Sequence, residues 1–417
     1  MKKLINQLLL CAIFVFTTIV FQGCIKDTVT EQYTFYRPVY ATKTDVFANI
    51  KSSAPTAIQS VGKLFIKDGF VFVNDVNKGV HVIDYRNPTS PKKVSFIHVP
   101  GNVDMAVRDN ILYVDCYTSL VAIDITNPLS VVNKKVINGV FPHRVYRDFF
   151  PDTSLIITNW VRVDTIISKD AIQSLKRENW GVFFASSASP LAASKSMNGI
   201  GGSMARFALL QDRMYTVSNS DIKVFNTTVA ENPNYVKSVE TGVFDVETIF
   251  PFGNHLFLGS NTGMHIFNVS NVDNPVKTGS FTHARVCDPV IADDKFAYVT
   301  LRSGNFCGGF TNQLDVVNIA NLSNPTLIKS YSLTNPHGLS KDGNLLMICD
   351  GSAGLKVFDA ANVQNIKLLT TVTGMNTFDV IAINGYAFVV AKEGLFCIDY
   401  SQPNSAKIIS QLSLNVQ

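Results

Sequence analysis

Seven or eight residues ahead of a recurring β-rich run, the sequence repeatedly places an ionisable side chain. The set is Asp104 before Ile111, Arg206 before Arg213, Glu247 before His255, Asp288 before Lys295, His337 before Leu345 and Asp379 before Tyr386. His143-Arg144 offers a comparable pair in a stretch where the pattern is degenerate. Such side chains suit three chemistries. Arg144 and Arg206 can grip a carboxylate or phosphate with two hydrogen bonds each. Asp104, Asp288 and Asp379 can accept from hydroxyls or hold a hard cation. His337 or His143 as general base, with Arg206 stabilising an oxyanion, would suit a lyase or hydrolase. The competing reading is that these groups only solvate a wet channel and offset one another's charge.

Whether the set meets in space depends on the elements that carry it. A five-residue stamp, apolar at most positions and closed by Asp or Asn, recurs seven times: Val80–Asp84, Leu120–Asp124, Ile222–Asn226, Met264–Asn268, Leu314–Asn318, Leu355–Asp359 and Leu395–Asp399. The closing positions are spaced by 40, 102, 42, 50, 41 and 40 residues. A strand-rich period near 40 marks a radial or stacked repeat. The second unit shows its parts: Val103–Val107, Ile111–Val114, Leu120–Ile125 and Val131–Ile137 are β-rich runs broken by Asp, Asn or Pro. Asn-Pro follows the stamp at Asn87-Pro88, Asn127-Pro128, Asn232-Pro233, Asn274-Pro275 and Asn324-Pro325, where Pro ends a strand and sets a turn. Four antiparallel strands per unit form the blade of an all-β β-propeller. A β-solenoid is the alternative, but it lacks meander hairpins within each unit. In a propeller the first strands line the hub, so the ionisable set would ring one mouth of the central channel.

The spacing of 102 equals two periods plus about twenty residues. This predicts a degenerate blade between Pro142 and Gly202, with strands in 154–167, an insertion over 168–202 and a short helix near Asp170–Glu178. About eight four-stranded blades result, spanning 57–417. Seven blades, with that segment as pure insertion, is the runner-up.

The N-terminus reads as a processing signal over residues 1–23: Lys2-Lys3, the apolar run Leu8–Phe21, then Gly23-Cys24. The junction resembles a bacterial lipobox, which implies acylation of Cys24 and a lipidated tether over 24–56. An uncleaved membrane anchor is the alternative. Several acyl chains hold a membrane firmly where one does not. Ile25-Lys26-Asp27 resembles a surface-export tag of Gram-negative lipoproteins. The expected place is therefore the outer membrane, on its periplasmic or cell-surface face.

Basic residues number 36 and acidic ones 32, and the excess falls when Lys2 and Lys3 leave with the signal. So small and dispersed a balance excludes a nucleic-acid footprint. Cys116, Cys349 and Cys397 lie in or beside apolar runs and read as buried thiols. Cys287 sits at the entry to a first strand and Cys307 in the hairpin between second and third strands of the same unit. Both positions fall on one face of a blade, and an exported protein can oxidise them to a disulfide.

The stamps, the blade-like spacing, the Asn-Pro turn and the lipobox together resemble the LVIVD-repeat lipoproteins, a β-propeller family of bacterial envelopes. The resemblance implies an exported propeller and supplies no catalytic residues, because fold alone does not set function. Standard spellings for metal, phosphate, nucleotide or acyl-transfer sites are missing, so no catalytic residue, metal or cofactor is assigned. His81 and His265 fall within stamps and read as hydrogen-bonding groups at the rim or between blades. Trp160 and Trp180 read as packing residues near the insertion. The expected function is an envelope platform that binds a small polar ligand or an envelope protein at the polar mouth. The alternatives are a channel-mouth enzyme and a structural subunit of an outer-membrane assembly.

Overall fold

Every stamp forms the third strand of a blade's antiparallel meander, from Gly79–Asp84 in the first to Gly394–Asp399 in the seventh. Apolar residues occupy both faces of these strands because each sheet is packed between two others. Val80, Val82 and Ile83, for example, are all buried, and each such side chain contributes roughly 1.5–3 kcal/mol. The closing Asp or Asn has a separate task. In all seven sheets its side-chain oxygen accepts the backbone N–H two residues on, from Asp84 with Arg86 to Asp399 with Ser401. That Asx turn ends the strand and starts the link to the fourth. A register shift between third and fourth strands also recurs in all seven, adding local twist.

The computed structural model describes residues 30–144, 146, 149–168, 183–184, 205–218, 220–282, 289–303 and 311–413. They fall in two compact units. The larger is a seven-bladed β-propeller. Its first strands are Val61–Lys67, Met105–Arg108, Phe207–Leu210, Val246–Phe252, Val290–Ala292, Leu339–Asp342 and Thr377–Ile383. Each neighbours the next in chain order and the last returns to the first, so the ring closes at seven. Blade 1 gains a fifth, outer strand, Lys51–Ser53, after the short helix Lys43–Ala48.

The expected eighth blade is absent. Blades 2 and 3 adjoin directly: the Tyr113 hydroxyl donates to Ala230 O at 2.6 Å and Arg108 Nη1 to Gln211 O at 2.5 Å. The strand expected in 154–167 exists as Ile156–Ser168, but its partner is the N-terminal strand Thr30–Ala41, which also pairs with Phe183–Phe184. Most of this three-stranded sheet, from Asn159 on in its first strand and up to Tyr40 in its second, belongs to the smaller unit, where Tyr146, Phe149 and Trp160 pack edge to face. The insertion therefore carries its own sheet instead of a blade.

The seam between blades 7 and 1 is closed by packing and by two hydrogen bonds. Phe388 and Val390 share a core with Val71, Val73 and Ile83. Ser410 Oγ donates to Pro88 O at 2.6 Å, and Lys93 Nζ to Ser413 O at 3.0 Å. Cys116, Cys349 and Cys397 are buried free thiols, and burial pushes those of Cys116 and Cys397 up to about 12. Cys24, Cys287, Cys307, Trp180 and the helix expected at 170–178 lie outside the described residues. Among those described, no helix is long and apolar enough to cross a membrane.

Candidate functional site

The site is assembled where the first strands begin. In three blades the pairing of first and second strands slips there: between Val61 and Leu64, between Val246 and Thr248, and between Thr377 and Asp379. Such bulges re-aim side chains next to functional positions. Lys63 and Glu247 lie in the first two slips, and Asp379 resumes the ladder after the third.

Lys63 of blade 1 reaches Asp104 of blade 2, Nζ to Oδ2 at 2.6 Å, with both side chains only 3% exposed. The same carboxylate accepts the backbone N–H of Met105 at 2.7 Å and that of Arg206, which opens blade 3. One side chain thus ties three blades together. Burial lowers the Lys63 pKa; Asp104 opposes that, and Arg206 pushes it down further. Beside this pair Asp115 is the penultimate residue of the second strand of blade 2, Ile111–Cys116. Its Oδ1 accepts Val103 N–H, Asp104 N–H and Asn102 Nδ2, each at 2.8 Å. Burial pushes its carboxyl up to about 6 in spite of those donors.

Equivalent carboxylates hold the loops entering blades 1 and 6. Asp75 accepts the N–H groups of Gln59 and Ser60, and Asp350 those of Thr334 and Asn335.

Opposite in chain order, His337 of blade 6 is buried and receives Arg302 Nη1 at 2.9 Å from Nδ1 and 3.1 Å from Nε2. Burial first, and then the Arg302 charge, lower its pKa to about 3. The ring is a neutral acceptor near neutrality and a poor general base there. Arg302 follows the second strand of blade 5, Phe296–Leu301. Its own pKa is lowered by burial and supported by Glu247. Burial raises the Glu247 carboxyl, which interacts with Arg206, Arg302 and Lys63. Those charges come from blades 1, 3, 4 and 5, so they share one end of the hub. Asp379 is fully buried, and its Oδ1 accepts the Val380 N–H at 2.6 Å. That oxygen lies 2.6 Å from where a Cβ on Gly338 would stand, so any larger residue there would displace the Asp379 carboxylate.

Exposure divides the ring. Lys63, Asp104, His337 and Asp379 are no more than 5% exposed, which is not a wet lumen. Arg206, Glu247 and Arg302 are partly exposed. The reachable arc therefore spans blades 3, 4 and 5.

Arg144 stands apart from the ring. It donates to Asn77 Oδ1 at 2.5 Å and Gly101 O at 3.0 Å and lies over the Tyr117 ring, in the loops of blades 1 and 2. His143 beside it is exposed. Asp288 falls outside the described residues. His81 and His265 bond within their own blades, to Asp75 and Ser260. Among the described residues, no group of three or more His, Cys, Asp or Glu side chains is placed to hold a metal.

Sequence reasoning missed Lys63, although it precedes Phe70 by the same seven positions that located Asp104 and Arg206. It also missed Asp115, Arg302 and Asp350, which sit at the far ends of second strands, where an offset from the strand start does not point.

Comparison with known proteins agrees with this architecture. The LVIVD repeat family matches residues 60–96, 288–333 and 375–411, which correspond to blades 1, 5 and 7. Among solved structures, the computationally designed Ika8 protein is 10% identical over 88% of this chain and 90% of its own, with a TM-score of 0.52. Sqt1 of Saccharomyces cerevisiae is 8% identical over 91% and 90%, with a TM-score of 0.50. Likeness at that level shows the fold alone. No curated protein matches the sequence.

Proposed function

Because this chain is a seven-bladed propeller carrying LVIVD repeats, we propose that it is a binding platform, exported and anchored through a lipidated Cys24, whose working face is the mouth bearing Arg206, Glu247 and Arg302. One observation supports this mouth above all: Glu247 of blade 4 interacts with Arg206 of blade 3 and with Arg302 of blade 5, and all three side chains stay partly exposed. Convergent polar groups on a rigid frame are the default binding arrangement. The two guanidinium groups suit a carboxylate or phosphate, from a small polar ligand or from an envelope protein. Glu247 suits a hydroxyl or amine beside it. The buried members of the ring hold the arc in place: Asp104 fixes the Arg206 backbone, and His337 receives Arg302. An enzyme reading is weaker, because His337 is neutral and already occupied by Arg302.

A pull-down from detergent-solubilised envelope, read by mass spectrometry for proteins and small molecules, tests the mouth. Arg206→Ala/Arg302→Ala should lose what the native chain retains while melting at the same temperature. An unchanged retained set would discredit the mouth. Metabolic labelling with an alkynyl fatty acid, lost in Cys24→Ser, tests the anchor separately.

A further inference from the structure

The propeller protects its free strand edges. Every fourth strand carries at least one lysine, from Lys92 in blade 1 to Lys407 in blade 7, and charge of that kind blocks edge-to-edge pairing. The smaller sheet is built differently. Its strand Ile156–Ser168 is 13 residues long, contains no lysine, and lies at the sheet edge. Among the described residues no strand pairs with its outer side. Ile166 is 72% exposed and Val161 40%.

We propose that this edge pairs antiparallel with the same strand of a second copy of the chain, in a twofold dimer centred on Val163. The sequence around Val163 is self-complementary in that register. Arg162 falls opposite the second copy's Asp164, and by symmetry Asp164 falls opposite its Arg162. In the single chain Arg162 Nη2 pairs with Asp164 Oδ1 at 3.1 Å and Thr34 Oγ1 donates to the same oxygen at 2.5 Å, but the two charged side chains remain 62% and 45% exposed, so each can also face its opposite across the axis. Val161 falls opposite Thr165, a β-branched pair. Trp160 falls opposite Ile166 on the same face as the charges, so the most exposed aliphatic of the strand would cover the cluster that Trp160 makes with Tyr146 and Phe149. Cross-strand pairs of opposite charge, of β-branched residues and of aromatic with aliphatic residues are the ones that stabilise antiparallel strands. A twofold axis also requires each contact to occur twice, as it does here. A shift of one residue would put Arg162 opposite Val163 and leave only the Arg162–Asp164 pair within each chain, with no ion pair across the axis.

Light scattering on the eluting peak of the exported chain with Cys24→Ser, at low ionic strength, tests this. The unchanged edge should give a dimer. Arg162→Glu places two like-charged pairs across the axis and should weaken dimerisation by about tenfold or more. The double reversal Arg162→Glu/Asp164→Arg restores opposite charges and should restore the dimer. Far-ultraviolet circular dichroism should stay constant across the set, and so should the melting temperature at concentrations where every variant is monomeric. A monomeric parent chain would overturn the proposal and leave the edge to a strand from another protein. A dimer indifferent to Arg162→Glu, or a double reversal that fails to restore it, would overturn it as well. None of these outcomes depends on the hub mouth, whose variants are different residues.

Discussion

Lys63 and Asp104 form an ion pair of 2.6 Å that crosses from blade 1 to blade 2, with 3% of either side chain exposed. Removing one member of such a pair leaves a buried charge alone, which costs about 3–5 kcal/mol. Lys63→Met should therefore lower the unfolding free energy by roughly that amount in urea titrations. Lys63→Met/Asp104→Asn should recover part of it, because no uncompensated charge is left buried, although the one amide oxygen can take over only one of the Met105 and Arg206 N–H groups, which bond different carboxylate oxygens. A double variant no more stable than the single one would show that the pair's charge is not what matters.

Asp115 sets a pH dependence of the less common sign. Its folded pKa, raised to about 6 from 3.8 by burial, means that the folded protein holds the proton more tightly than the unfolded chain does. The contribution is fully present below pH 3.8 and is lost as pH rises through 6, over a span of roughly 3 kcal/mol. The stability of the parent relative to Asp115→Asn should fall across that window and level off above it. A flat difference between pH 4 and 7 would contradict the assignment.

His337 is expected to stay neutral through the physiological range, with a pKa of about 3. Its ring resonances in proton–nitrogen correlation spectra should not move between pH 5 and 8. Arg302→Ala removes a lowering charge and should raise the titration midpoint. A native midpoint near 6.5 would reopen a proton-transfer role.

The stamp predicts a contrast between third and fourth strands. Leu314, at 1% exposure, lies in the third strand of blade 5, whereas Leu368, at 52%, lies on the fourth strand of blade 6. Leu314→Ala should cost about 2–5 kcal/mol. Leu368→Ala should stay within about 0.5 kcal/mol. Equal effects from both would contradict the packing described.

Period and turn chemistry made the blades legible in the sequence, because each stamp carries a burial pattern and its own Asx turn. The count was harder. A spacing of 102 cannot tell a masked blade from an insertion that contains a strand, since both supply β-rich residues. What distinguishes them is pairing of Ile156–Ser168 with Thr30–Ala41, more than a hundred residues away, and periodicity does not reveal that. The ring was partly legible for the same reason. A constant offset identifies residues at one depth of the hub, so Asp104, Arg206, Glu247, His337 and Asp379 emerged together. Which of them are buried is set by neighbours such as Lys63 and Arg302, whose roles exist only after closure.

The hub mouth is tested most directly by a side-by-side capture experiment with immobilised native chain, Arg206→Ala/Arg302→Ala and Arg162→Glu, all confirmed to melt alike. The predicted result is that the native chain and Arg162→Glu retain the same envelope component while the double arginine variant retains none. Equal retention by all three would contradict a binding site formed by Arg206, Glu247 and Arg302.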